Sequence, residues 1–312
     1  MIGDTIFLVG WAFKLLGKKF LFDHHDINPE LFEAKFGRRG LCYRLLCWCE
    51  RLTFWTADVS IATNESYRKI AIERGKMDPD KVFVVRSGPD LRRLRILPPK
   101  PELKRGRAFL VAYLGTMGRQ EGIDYLLRAA KHIIADLGRT DIHFGLVGGG
   151  PELEAMKACA RELGIADYVT FTGRVPDQEM LEMLNTAEVC VNPDIANDMN
   201  DKSTMNKIME YMALGKPIVQ FDLTEGRFSA QAASLYANRN DEVDLARKIV
   251  ALLGDRLQRQ RMGAFGRERV ENELRWRYEI PKLLAAYERL WGSGAPDPRS
   301  EEHTSELHSQ LT

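Results

Sequence analysis

Between residues 108 and 221 the chain repeats one pattern: a short apolar run, a turn often marked by glycine, then a longer segment with apolar residues at helical spacing. Phe109–Leu114 stops at Gly115, Ile142–Val147 at Gly148, Gly149 and Gly150, and Tyr168–Phe171 just before Gly173. Glu188–Val191 and Pro217–Phe221 continue the series. Short apolar runs bounded by turn residues read as strands buried on both faces. Helices read at Gly122–Asp136 and at Pro151–Leu163, with Pro151 suited to the first helical position. Two more follow: Asp177–Asn185 with Asp177 as its cap, and a helix capped by Ser203 or Thr204 that runs to Leu214 and stops at Gly215. Strands alternating with helices imply a parallel sheet covered on both faces. Such sheets bind ligands beyond the carboxyl ends of their strands.

Residues 1–91 carry a shorter version of the same pattern. Strands read at Phe20–Phe22, Val59–Ala62 and Val82–Val85, with helices at Leu41–Leu52 and Glu65–Arg74. Three strands are few for an independent doubly wound domain, so this first domain is expected to be incomplete, its opening strands lying ahead of Met1. The expected division is a partial domain over 1–95, a linker over 96–107, a second domain over 108–274, a closing helix over 275–291, and a tail over 292–312 without structure. Arg299–Leu307 within that tail resembles a translated sequencing adapter and is excluded from functional reading, together with His303 and His308.

Charge separates the two regions. Residues 1–107 hold 21 basic and 13 acidic side chains, net +8, whereas 108–312 are net −7, and the whole chain is +1. So balanced a total gives no drive towards nucleic acid. The local excess in Arg92, Arg93, Arg95, Lys100, Lys104, Arg105 and Arg107 reads as a solvated linker or as a contact with an anionic surface such as a membrane. Five cysteines without a C-x-x-C pair fit reduced thiols and a cytoplasmic location, at the inner face of the membrane if that contact is made. The apolar start, Ile2–Phe22, lacks a cationic leader and a small-residue cleavage site, and is read as part of a folded domain.

The chemistry concentrates on the segment Ser203–Val219. It opens a helix at a strand's carboxyl end, where free backbone N–H groups and the helix dipole favour phosphate. Lys207 adds a full charge there. Ser203, Lys207 and Glu210 would share one face, with Glu210 about 10 Å along the axis from Ser203 at about 1.5 Å per residue. That is the reach from a diphosphate to a ribose, whose diol a carboxylate can bind. The bland reading is an amphipathic helix with a surface Lys–Glu pair. Three glycine turns, at Gly115–Gly122 with Arg119, at Gly148–Gly150, and at Gly173 with Arg174 and Val175, converge on the same edge.

These segments resemble the family 4 glycosyltransferases. The matching pieces are Tyr113–Gly115, Leu146–Glu152, Val169–Val175, Ala187–Pro193 and Lys207–Pro217, with Phe22–Glu30, Ala57–Asp58, Asn64–Ser66, Val85–Asp90 and Trp276–Leu290 outside the second domain. The resemblance implies an α/β GT-B fold of two Rossmann-like doubly wound parallel-sheet domains, the first incomplete here. It implies a retaining transfer of a sugar from a nucleotide diphosphate sugar, UDP being the commonest, to a glycan or lipid-linked acceptor. No metal and no further cofactor are expected, because a helix terminus and basic side chains neutralise the leaving diphosphate. By the same resemblance Glu210 binds the ribose, and Lys207 and Arg119 face the diphosphate beside Gly115, Gly148 and Gly149. The backbone at Thr204, Met205 and Asn206 faces phosphate or sugar, and Arg174 or Val175 meets the base. His25 is the catalytic histidine, with His24 its less suited twin.

Two positions depart from the family pattern. Lys202 stands where a second glutamate often precedes Glu210 by eight residues, and the phosphate turn reads Glu121-Gly122 where lysine is usual. A truncated first domain further implies a fragment of low activity. Among rival readings, an NAD-dependent dehydrogenase lacks its Gly-x-Gly-x-x-Gly turn, since Pro151 and Glu152 crowd Gly148–Gly150. The Asp78-Pro79-Asp80 string of a metal-dependent transferase is explained by a turn. A sugar-nucleotide epimerase on the same fold is separated by its product, and a non-catalytic binding subunit, docked through the basic stretch 92–107, by binding that is lost on raising salt.

Overall fold

The computed structural model describes residues 5–292; the expectations for the tail beyond Gly292 fall outside them. In chain order the elements are α1 (Ile6–Leu15), β1 (Leu21–His24), α2 (Asn28–Phe36), α3 (Leu41–Thr56), β2 (Val59–Ala62), α4 (Glu65–Glu73) and β3 (Val82–Val84). Then come β4 (Phe109–Leu114), α5 (Ile123–Lys131), β5 (Ile142–Val147), α6 (Leu153–Glu162), β6 (Val169–Gly173), α7 (Asp177–Thr186) and β7 (Val189–Asn192). The chain continues through α8 (Asp198–Lys202), α9 (Asn206–Ala213), β8 (Ile218–Phe221), α10 (Thr224–Ala230) and β9 (Ser234–Ala237), and closes with α11 (Glu242–Gly254), α12 (Arg256–Arg269) and α13 (Ile280–Trp291).

Two compact units result, neither of them continuous in sequence. Among the described residues the first comprises 5–25, 44–85 and 280–292; the second comprises 26–43 and 86–279. The change into the second unit thus falls at Arg86, ahead of the boundary expected at 95.

In the first unit β1, β2 and β3 pair in parallel in that order. Val59 and Ile61 of β2 form a core with Val85 and with Ala286 and Leu290 of α13, so the last helix closes a sheet made from the start of the chain. On the other side Phe54 of α3 meets Phe22 edge-on at 5.3 Å. Asn64 caps α4, its side chain accepting from the Tyr67 amide at 2.8 Å. Asp78 accepts from the Asp80 amide and caps the short 3-10 turn Pro79–Lys81, the turn expected for that string.

The second unit holds a six-stranded, wholly parallel sheet in the order β6-β5-β4-β7-β8-β9. Counted from β4, this is the doubly wound order 3-2-1-4-5-6, whose direction reverses between β4 and β7. Both faces are covered. Val111, Phe144 and Val191 face α5 and α11, and Leu110, Ala112 and Cys190 face α7 and α9. Tyr211 of α9 fixes that helix at the reversal: its hydroxyl accepts from the Leu114 amide at 2.7 Å and donates to the Val191 carbonyl at 3.2 Å. Arg86, where the chain enters this unit, donates its amide to Glu279 at 2.9 Å, and its guanidinium pairs with buried Glu225 at 3.1 Å.

Several local expectations need correction. Pro151 lies in a turn ahead of α6, and Asp177 is the first residue of α7, preceded by Pro176. Neither Ser203 nor Thr204 caps α9. The chain first forms α8, capped by Asn197, and Ser203 turns its hydroxyl back to the Met199 carbonyl at 2.7 Å. Ser203 therefore does not share a helical face with Lys207 and Glu210. The stretch 96–107 is not a bare solvated linker: Lys100 pairs with Glu182 and Lys104 with Glu188, and Arg107 lies 4.2 Å over the Tyr168 ring.

Candidate active site

The site is assembled at the reversal of the second sheet, from the turns after β4, β5, β6 and β7 and from the start of α9. The glycine turns interlock through their backbones. Gly115 N–H donates to Val147, Met117 N–H to Gly149, and Gly148 N–H to Gly173, each at 3.0 Å. Gly148 has a φ of +126°, and a Cβ there would collide with the Gly115 carbonyl, so both turns need the missing side chain to close on one another.

Lys207 stands on the second residue of α9, whose first turn has no side-chain cap. An uncapped helix start presents donors and the positive end of the dipole. Its ammonium lies 2.7 Å from Asp194 Oδ1 and 5.1 Å from the centre of the Tyr113 ring, with the side chain 11% exposed. Burial pushes the Asp194 carboxyl up, and Lys207 opposes that shift. Glu121 accepts from the Gly118 amide at 3.1 Å and thereby holds the turn after β4. Its carboxyl is raised, chiefly by burial, with Lys207 pulling the other way. The glutamate that stands where the family pattern has lysine is therefore a fastener of the glycine turn.

Glu210 lies one turn along α9 from Lys207, on the same side of the helix. Burial raises its carboxyl and Arg93, 3.5 Å away, opposes the rise. Arg93 also makes a two-pronged contact with Asp177 at 2.6 and 2.9 Å. Arg119, expected at the diphosphate, is largely exposed and pairs with Glu152 at 3.3 Å. Arg174 is exposed just after β6, its amide next to Gly149, and Val175 packs against the core under α7. Thr204, Met205 and Asn206 lead directly into α9. The structure thus brings Gly115, Gly148, Gly149, Arg174, Lys207 and Glu210 to one sheet edge.

His25 belongs to the first unit. It is exposed just beyond β1 and lies 3.0 Å from Asp23 Oδ1. His24 is 1% exposed and packs among the rings of Phe22, Phe54 and Tyr67. Asp194, Glu121, Arg93 and Tyr211 were not picked out from sequence as site residues. Asp194 lies just beyond the matching piece that ends at Pro193, and Arg93 falls within a run of charge. Among the described residues no three His, Cys, Asp or Glu side chains gather as a set that could hold a metal ion.

Residues 108–255 match the sequence profile of the family described as Glycosyl transferases group 1. This region is similar to the group 1 glycosyltransferases. The chain is 25% identical over 307 residues to the alpha-maltose-1-phosphate synthase of Mycolicibacterium smegmatis, covering 89% of this chain and 75% of that protein. It is 28% identical to the D-inositol 3-phosphate glycosyltransferase of Thermomonospora curvata, covering 74% of this chain and 57% of that one. Against some curated relatives it spans only about half of their length, 46% for the 2-deoxystreptamine glucosyltransferase of Streptomyces kanamyceticus. Among solved structures, sucrose-phosphate synthase from Thermosynechococcus elongatus superposes with a TM-score of 0.73 at 21% identity, covering 91% of this chain and 72% of that one. Anabaena HepE, solved with UDP and glucose, superposes with a TM-score of 0.76 at 16% identity, covering 91% and 75%. The six-stranded sheet of the second unit and the three-stranded parallel sheet of the first are the α/β sheets of the GT-B fold expected from the sequence.

Proposed function

We propose that this chain is a retaining, metal-independent glycosyltransferase that moves a sugar from a nucleotide diphosphate sugar, UDP-linked, to a glycan or lipid-linked acceptor. The observation that carries the reading is the placement of Lys207 and Glu210 on one side of α9, at the point where the strand order reverses. The uncapped helix start and the Lys207 ammonium supply positive charge where a leaving diphosphate develops negative charge. Glu210, one turn further on, accepts two hydrogen bonds from the ribose diol. Arg119 and the close backbone approach allowed at Gly115, Gly148 and Gly149 complete the diphosphate cradle, and Arg174 or Val175 meets the base. His25, beyond the carboxyl end of β1, acts at the donor sugar. The five cysteines, none in a C-x-x-C pair, agree with a cytoplasmic setting.

The first test is the melting midpoint of the chain against UDP, GDP, ADP and NAD, because a ligand bound only to the folded state raises it. A rise with a single nucleoside diphosphate supports the donor site and names the base; a rise with NAD alone, or with none of them, overturns it. Product analysis then separates transfer from epimerisation: transfer releases free nucleoside diphosphate with a new glycoside, whereas an epimerase returns an isomerised donor.

A further inference from the structure

We propose that Asn192 is a positioning residue of the donor site: through Asp194 it sets how firmly the Lys207 ammonium is held and how readily that ammonium turns to a diphosphate. This role rests on the donor reading above, in which Lys207 meets the leaving diphosphate.

Asn192 ends β7, and Gln220 stands beside it as its register partner on β8. Side chains two apart on a strand share a face. Asn192 therefore points the way Cys190 does, and Gln220 the way Ile218 does, into the core beneath α9. Both are fully buried, and Asp194 is 1% exposed. Val, Cys, Ile and Phe occupy the other positions of the two strands. Apolar side chains at 192 and 220 would be cheaper still, because a buried amide gives up the hydrogen bonds that water supplies to the unfolded chain. Among the described residues Asp194 Oδ2, Gln220 Oε1 and both amide atoms of Asn192 are buried without a hydrogen-bond partner. Such departures from an apolar core concentrate where function requires them.

The backbone on both sides of Asp194 is pinned to the turn after β4. Gly122 has a φ of +60°, and a Cβ there would collide with the Pro193 carbonyl. Ile195 donates its amide to the Gln120 carbonyl at 3.0 Å. The carboxylate so fixed has one oxygen on the Lys207 ammonium at 2.7 Å and the other buried. Asn192 is near enough to favour the Asp194 charge without closing a hydrogen bond of normal geometry. The other titratable groups facing Asp194 are Lys207 on α9, Tyr113 on β4 and Glu121 in the turn after it. A diphosphate that draws the ammonium away removes the counter-charge of a buried carboxylate. Closing the Asn192 bond then keeps Asp194 ionised; without Asn192 the carboxyl must take up a proton or hold the ammonium back. Gln220 is not placed for this task, since its Nε2 turns to the Gly226 carbonyl of α10 at 3.5 Å.

The test is calorimetric titration of the full chain with UDP, GDP and ADP in turn, at neutral pH in two buffers of different ionisation enthalpy. This yields both the affinity and the protons taken up per nucleotide bound. Asn192→Leu should keep or raise the melting midpoint, yet weaken nucleotide binding about tenfold, the worth of a hydrogen bond to a charged group. It should also increase proton uptake, and because the nucleotide's own titration is common to parent and variant, the difference reports Asp194. A residue that only packs would move neither reading. In a Lys207→Met background the same change should cost nothing further, and Gln220→Met should bind within about twofold of the parent. If Asn192→Leu loses its cooperative melt, Asn192→Val, smaller and suited to a strand, gives the same readings. Unchanged affinity and proton count, a fully additive loss on Lys207→Met, or an equal loss in Gln220→Met would each overturn the role of Asn192 and leave the donor reading standing. If no nucleotide binds the parent, or Lys207→Met binds like the parent, the donor reading fails and this role falls with it.

Discussion

The ammonium of Lys207 lies 2.7 Å from Asp194 at the reversal of a doubly wound sheet, with Asp194 buried and Lys207 mostly so. Either charge alone would be costly there. Asp194→Ala is therefore expected to destabilise the fold by about 3–5 kcal/mol, the range for breaking a buried pair and stranding its partner. Lys207→Met, close in length but uncharged, is expected to weaken UDP binding by at least about tenfold through loss of a charge-assisted contact worth about 1.5–3 kcal/mol. Chemical denaturation and calorimetric titration check the two halves.

Glu210 separates stability from function. Its carboxyl is raised in the folded state, chiefly by burial, so its contribution to stability is full at low pH and falls as pH rises through the folded value. Glu210→Gln should then leave the melting midpoint at neutral pH unchanged or higher while weakening UDP binding about tenfold. A comparison of UDP with 2′-deoxy-UDP gives the sharper reading: the parent should discriminate between them and the variant should not. A variant that still prefers the ribose would remove Glu210 from the diol.

Gly148→Ala should be strongly destabilising. The residue sits at φ +126° and its Cβ would meet the Gly115 carbonyl, so strain and collision act together. A loss of more than about 2 kcal/mol is expected from backbone strain and overpacking combined. An unchanged denaturation midpoint would show that the two turns can move apart.

Acid sensitivity has an identifiable contributor in His143. This buried ring on β5 accepts or donates at Nε2 to Thr170 at 2.8 Å, and burial lowers its pKa from 6.5 to about 4. A lowered folded value means that the unfolded chain takes the proton first, so stability is present above about 6.5 and is lost as pH falls from there to about 4. His143→Gln should flatten the pH dependence of the melting midpoint across that window. A slope equal to that of the parent would assign it to other groups.

His25→Ala should lower turnover by about 10²–10⁴-fold, the range of a positioned proton-transfer group. UDP affinity should stay the same, because His25 is in the first unit and the proposed nucleotide contacts, Lys207 and Glu210, are in the second. Single-turnover measurements with saturating donor distinguish this from a change in binding. An equal loss on changing His24, which is buried among aromatic rings, would be read as unfolding only if the melting midpoint fell with it.

The second sheet was legible because its strands are buried on both faces and so appear as uninterrupted apolar runs between glycine turns. β9 was not, since Ser234 and Tyr236 break the apolar run at a sheet edge. The start of α9 was misread because Ser203 and Thr204 have good capping chemistry, yet α8 uses the preceding residues and its own cap, Asn197, first. Lys207 and Glu210 were visible as a charged pair at helical spacing. Asp194 and Arg93 were not, because only the folded chain brings an acid after β7 and a cation ahead of β4 to the two ends of that pair.

α13 completes the first sheet with Ala286 and Leu290, although β2 and β3 lie near the other end of the chain. During synthesis some 200 residues must emerge between them, a delay of about 10–40 s at about 5–20 residues per second. The ribosome thus releases the second unit's sheet while the first still shows the bare faces of Val59 and Ile61. For that interval the early strands depend on whatever shields nascent chains, and α13, made only after the second unit, decides when that dependence ends.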